Sequence, residues 1–255
     1  MISRITLIEP KNDHLNIFSR FVLPRLGSTL LATILRNRGY AAEALFMSRK
    51  EILARGLEAD LVGISTITAT ATTAYALADH FREKGIPVVF GGPHVTFVPE
   101  EALEHGDYCI MGEGETGLPL LIETLNTGGS LSEVPGLAWK DNGVVRKNPV
   151  APPIEDLDGL PFPDLRLLDT GRMKKIGVQG IGLPTIPVQT SRGCPFDCTF
   201  CSVTGMFGRG YRHRSTSNII AELRNYNPKR IKPCYCGLTD LRIVGFANPQ
   251  SVNKN

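Results

Sequence analysis

Over the first 130 residues, short apolar runs alternate with longer stretches whose apolar positions recur every three or four residues. Residues 4–9 (RITLIE) predict a strand, and 26–37 (LGSTLLATILRN) a helix stopped by Gly39. Residues 42–46 predict a second short strand. The run 60–66 (DLVGIST) has no polar face, as in a parallel sheet covered on both sides. Residues 69–84 predict a helix ended by Gly85, and 87–90 (PVVF) a strand leading into Gly91-Gly92-Pro93-His94. A short helix at 99–105 precedes a fifth strand at 107–111 (DYCIM). Then come the turn Gly112-Glu113-Gly114-Glu115 and a helix at 118–126. Strand followed by helix five times predicts an α/β fold with a doubly wound parallel sheet. Ligands of such sheets sit at the carboxyl ends of the strands, here the loops at Thr66, Gly91–His94 and Gly112–Glu115.

The pattern then changes. Residues 137–147 (LAWKDNGVVRK) predict a hairpin around Asp141-Asn142-Gly143. Residues 149–170 are rich in proline and acid, which suits an extended linker between domains. A strand at 186–190 (IPVQT) leads into a cysteine cluster, and a helix at 218–225 follows with Thr216 or Ser217 as its N-cap. The domains expected are 1–130, a linker at 131–182, a new domain beginning at 183–231, and an atypical tail at 232–255.

Composition adds exclusions. Of 255 residues, 42% are hydrophobic and 21% charged, enough for one large or two small cores. A net charge of +3 gives no reason to expect nucleic acid or an acidic membrane surface as a partner. No apolar run approaches the roughly 20 residues that span a bilayer. The start, MISRITLIEPKNDH, lacks the apolar core of a signal peptide, so the expected compartment is the cytoplasm. The six cysteines cluster late, a distribution that favours a metal site over disulfides in a chain of this kind. Cys109, between apolar neighbours, reads as a buried strand residue.

Cys194, Cys198 and Cys201 are spaced C-x3-C-x2-C. Three thiolates at this spacing can wrap one corner of a cubane iron–sulfur cluster and leave a fourth iron open to a ligand. A zinc knuckle is the alternative. It wants four ligands, yet no second pair lies nearby and His213 is the only close histidine.

The segment Arg192-Gly-Cys194-x3-Cys198-x-Phe200-Cys201, directly after a strand, resembles the radical S-adenosylmethionine (SAM) signature. The resemblance implies a [4Fe–4S] cluster on the three cysteines, with SAM on the open iron and Phe200 near its adenine. It implies reductive cleavage of SAM to a 5′-deoxyadenosyl radical, fed by an external electron donor such as flavodoxin or ferredoxin. In the basic stretch 205–215, Arg212 and Arg214 could touch an anionic substrate or SAM, or could form a solvated basic loop.

An α/β domain ahead of this signature resembles the cobalamin (B12)-binding radical SAM subfamily. The resemblance rests on Val62-Gly-Ile-Ser65-Thr66, on Gly91-Gly92-Pro-His94, on Gly112-Glu113-Gly114-Glu115, and on LPFPD in the linker. It implies a Rossmann-like cobalamin domain with Ser65, Thr66, Gly91, Gly92, Gly112, Glu113 and Gly114 toward the cofactor. The first part of a radical SAM partial (βα)6 barrel would follow. Glu113 and Glu115 also suit a helix N-terminus, whose dipole favours acids. The D-x-H-x-x-G loop of histidine-ligated cobalamin proteins is missing, so neither His14 nor His94 is expected to bind cobalt. The first strand is followed by EPKNDH and not G-x-G-x-x-G, which disfavours a dinucleotide.

The implied function is a cobalamin-dependent radical SAM enzyme acting on a small molecule, by methyl transfer to carbon or a related ring closure or rearrangement. The alternative is a non-catalytic fragment that binds cobalamin and a cluster. Past residue 231 the pattern breaks, and the tail reads as a truncated or frameshifted barrel. Cys234 and Cys236 as a second metal corner would be incomplete.

Overall fold

The computed structural model describes residues 1–11, 21–22, 24–170, 177–178, 187–196 and 198–226. The sequence readings of His14, Cys234, Cys236 and the tail from 232 onward lie outside the described residues.

The elements run β1 (Arg4–Pro10), α1 (Leu26–Asn37), β2 (Ala41–Met47), α2 (Arg49–Arg55), β3 (Leu61–Ser65) and α3 (Ala71–Glu83). They continue with β4 (Val88–Gly91), α4 (Pro93–Phe97), α5 (Pro99–His105), β5 (Tyr108–Ile110), α6 (Gly114–Thr127), β6 (Leu137–Asp141) and β7 (Val144–Lys147). Last come β8 (Leu168–Asp169), β9 (Ser191–Arg192), α7 (Val203–Phe207), β10 (Arg212–His213) and α8 (Thr216–Asn225).

One eight-stranded sheet organises the molecule, in the order β7-β6-β5-β4-β3-β1-β2-β8. From β5 to β8 its neighbours are parallel; β6 and β7 are antiparallel. The chain starts at β1, steps to β2, then crosses back to β3 on the other side of β1. That reversal creates a crevice at the carboxyl ends of β1 and β3, where such sheets bind ligands.

The central strands are apolar on both faces because helices cover both. Ile5 and Leu7 of β1, Val89 of β4 and Ile110 of β5 pack with Leu35 of α1 and Leu118, Leu121 and Ile122 of α6. The alternate positions, Ile8, Val62, Ile64, Val88 and Phe90, pack with α2, α3 and α5 through Ile52, Leu77, Phe81 and Leu103. Burying each such side chain is worth roughly 1.5–3 kcal/mol. No described helix is long and apolar enough to cross a membrane.

Several boundaries differ from those the sequence predicts. The sheet does not end at residue 130: the hairpin β6–β7 extends it beyond β5, and β8 pairs with β2 at the opposite edge. The Pro-rich stretch is strapped to the first domain. Asp164 donates its N–H to Thr33 Oγ1 at 2.8 Å, and Leu157 is buried. The strand expected at 186–190 is irregular over 187–190, and the short β9 follows at Ser191. Helix α2 goes beyond the sequence reading. Its N-terminus is a capping box, with Glu51 N–H donating to Ser48 Oγ and Ser48 N–H donating to Glu51 Oε2 at 3.0 Å.

Candidate cofactor site at the carboxyl edge of the sheet

The crevice holds a cavity of about 290 Å³. At the strand ends it is lined by Gly63, Ile64 and Ser65 of β3 and by Val89, Phe90 and Gly91 of β4. Of the residues assigned to cobalamin from sequence, Ser65, Gly91, Gly92, Gly112, Glu113 and Gly114 are brought together around this space. Thr66 is not among the lining residues; it is fully buried, and its N–H donates to the Gly91 carbonyl at 2.8 Å.

The glycines have distinct reasons. Gly92 has φ +95°, and a Cβ there would stand 2.8 Å from the Thr66 carbonyl oxygen. Gly91 has room: a Cβ would meet only the Ile110 carbonyl oxygen, at 3.9 Å. Thr96, which the sequence reading passed over, ties two of the turns together. Its hydroxyl donates to the Gly92 carbonyl at 2.9 Å and accepts from Gly112 N–H at 3.1 Å.

A second feature went unread in the sequence. Glu9, next to last in β1, has its carboxylate buried, accepting from Arg25 N–H at 2.9 Å and Arg25 Nε at 2.9 Å. Arg25 Nη2 donates to the Ser65 carbonyl at 3.3 Å, and Nη1 is a buried donor with no hydrogen-bond partner. Arg25 lines the cavity. The signal was present as an acid near the end of a strand that is buried from its second residue on.

His94 is engaged elsewhere. Its Nδ1 lies 3.1 Å from Thr68 Oγ1 and its Nε2 3.0 Å from Tyr75 Oη, so neither nitrogen is free for a metal.

The structure assigns the two acids of the glycine-rich turn to other partners. Glu113 is the N-cap residue of α6, but its carboxylate turns away from the helix. It accepts from Arg212 Nη2 at 2.7 Å, Arg212 Nη1 at 3.2 Å and Ile154 N–H at 2.7 Å. Glu115 pairs with Arg192 Nη2, and Arg192 Nη1 lies 3.4 Å from Glu113 Oε1. All four side chains are less than 10% exposed. Burial works to lower the Arg192 pKa, but Glu115 and Glu113 outweigh it and hold it above its ordinary value. Arg214 pairs with the buried Glu222 and lies over the Phe162 ring. Arg212 and Arg214 are therefore neither part of a solvated loop nor a free anion receptor; they are internal ion-pair partners.

Cys194 is buried, Cys198 exposed and Cys201 intermediate. Phe200 is 91% exposed. The donor set suits an iron–sulfur cluster in type and spacing. Among the described residues, no three His, Cys, Asp or Glu side chains are gathered as a metal site. Cys109 is fully buried in the core, and burial raises its thiol pKa.

Comparison with known proteins gives this geometry its class. Residues 16–122 match the B12 binding domain family. The chain is 36% identical over 212 residues to an uncharacterized methyltransferase of Pyrococcus horikoshii, covering 78% of this chain and 45% of the relative. It is 34% identical over 188 residues to the bacteriochlorophyllide d C-8(2)-methyltransferase of Chlorobaculum tepidum, covering 71% and 38%. The fold is shared with the cobalamin-dependent S-adenosylmethionine radical enzyme OxsB with aqua-cobalamin bound, at TM-score 0.68 and 24% identity, covering 88% of this chain and 31% of that one. The sheet and its crevice thus define a B12-binding α/β domain. Residues 16–122 carry the match to the B12 binding domain family, within a chain that is similar to methyltransferases over most of its length. The chain spans less than half the length of these relatives.

The residues present fit cobalamin. The cavity offers glycine backbone for close approach and, on Arg25 and Arg192, two buried guanidinium nitrogens without a hydrogen-bond partner for polar groups. A corrinoid exceeds the drug-sized ligands that pockets of about 300–1,000 Å³ enclose, so the cavity can take only part of it.

Proposed function

We propose that this chain is the cobalamin- and cluster-binding part of a cytoplasmic enzyme that methylates carbon on a small molecule, or performs a related radical rearrangement. One observation carries the reading: the cavity of the B12-type domain shares a wall with the cysteine segment. Arg192, two residues before Cys194, lines that cavity together with Ser65 and Gly91. Cys194, Cys198 and Cys201 would hold a [4Fe–4S] cluster, and Phe200 would offer an aromatic face to SAM. Gly91, Gly92, Gly112 and Gly114 let backbone approach cobalamin, Ser65 and Arg25 supply polar contacts, and the apolar wall of Leu7, Val89 and Leu118 excludes water. Bound cobalamin would supply a transferable methyl group, and the reduced cluster with SAM would supply the radical chemistry. The electron comes from an external donor such as flavodoxin or ferredoxin.

Anaerobic reconstitution with iron, sulfide and hydroxocobalamin tests this. The parent chain is expected to carry about four irons and to co-elute with cobalamin. The Cys194→Ala/Cys198→Ala/Cys201→Ala variant is expected to lose the iron and keep the cobalamin. Cobalamin that fails to co-elute, or iron that survives the triple substitution, would remove the corresponding half of the proposal. A finer probe is Gly91→Val. A strand position tolerates valine, and the added methyls enter the cavity. Spectral titration is expected to show hydroxocobalamin binding weakened at least about tenfold with an unchanged thermal midpoint. Equal affinity would place cobalamin elsewhere.

A further inference from the structure

Glu113 and Glu115 stand at the end of the fifth strand of one domain, and Arg192 and Arg212 belong to the segment that carries the cysteines. Arg192 and Arg212 are directly opposed in the antiparallel pair β9–β10, which brackets the cysteine loop. Cys194 N–H donates to the Gly208 carbonyl at 3.2 Å across the base of that loop. Arg212 also donates to the carbonyls of Phe207 at 2.8 Å and Ile154 at 2.6 Å. Its guanidinium therefore joins four parts of the chain: the turn after β5, the linker, the end of α7 and β10. The Arg192 guanidinium lies 5.9 Å over the Phe207 ring. Such a network is costly to bury unless every charge is matched, and here two acids face two arginines.

We propose that Glu113 and Glu115 are positioning residues: with Arg192 and Arg212 they form a latch that fixes the cysteine loop against the wall of the cofactor cavity. The latch holds Cys194 inside, ordering one end of the loop before any cluster is assembled, while Cys198 stays open to solvent. The cluster's part in this rests on the function proposed above; the latch itself does not.

Residue-resolved alkylation of the metal-free chain tests it, with iodoacetamide as the probe and mass spectrometry as the readout. Three cysteines serve in one measurement. Cys194 reports the latch, Cys198 the exposed limit, and Cys109 the sheet core. In Arg212→Met, Cys194 is expected to accelerate at least about tenfold more than Cys109, with Cys198 unchanged. Arg212→Lys keeps the charge without the fork and is expected to fall between the two. An unchanged Cys194 rate overturns the latch. Acceleration of Cys109 in step with Cys194 also overturns it, because the ion pairs would then merely support the whole fold. The same variants, reconstituted with iron and sulfide and reduced, are expected to show a cluster EPR signal altered in line shape. A parent chain that takes up no iron would refute the cluster, while the alkylation rates would still decide the latch.

Discussion

Glu113→Ala is expected to destabilise the chain by about 3–5 kcal/mol, the usual effect of removing one partner from a buried ion pair. The substitution strips Arg212 of both carboxylate contacts and leaves the Ile154 N–H without its acceptor. Arg212 and Arg192 then remain buried with only Glu115 to offset two positive charges. Glu113→Gln should do less harm, because an amide oxygen can still accept one of these bonds while the charge is lost. Urea unfolding of the metal-free chain measures both. The loss is expected to persist at about 0.5 M salt, since a buried pair is poorly screened. A change below about 1 kcal/mol would put the network in the class of solvent-exposed pairs and contradict the burial of its four side chains.

The ion pairs also mark the limit of what the sequence could reveal. Strands β1, β3 and β4 are legible because both of their faces are buried, so RITLIE, DLVGIS and VVF carry few polar interruptions. The glycines at the strand ends are legible for a similar local reason, a turn that must pass close to neighbouring backbone. Helix α6 begins at Gly114, four residues before the predicted start, because Gly-Glu-Thr-Gly offers no apolar repeat. Its first turn is fixed instead by packing, with Gly117 against the Pro135 carbonyl. The hairpin β6–β7 was readable from Asp-Asn-Gly, but its place at the edge of the main sheet depends on pairing with β5. Glu113 and Arg212 lie 99 residues apart, and nothing in either neighbourhood names the other. Each acid and each arginine therefore has a plausible local reading, at a helix terminus or in a solvated loop. The three-dimensional pairing displaces the solvated-loop reading and adds to the helix-terminus reading, since Glu113 is the N-cap of α6 and Glu115 lies in its first turn. The cysteine triad is the opposite case, since its chemistry is contained in a single short loop.

That loop depends on one glycine more than on its length. Gly193→Ala is expected to reduce iron incorporation from about four per chain to below about one, with hydroxocobalamin binding retained. Gly193 has φ +82°, and a Cβ there would lie 2.0 Å from the Gly210 carbonyl oxygen and 3.2 Å from that of Gly208. Both obstacles are backbone, so no side-chain rotation relieves them. Left-handed geometry alone costs a residue with a Cβ about 1–2 kcal/mol. The clash must open the base of the loop, separating β9 from β10 and breaking the bond from Cys194 N–H to Gly208. The eight-stranded sheet has no share in this contact, so its thermal unfolding by circular dichroism should stay at the parent midpoint. Full iron content in the alanine variant would show that the thiols can gather around a cluster without this turn. Loss of cobalamin binding alongside the iron would show that the loop and the cavity act as one site, coupled through Arg192.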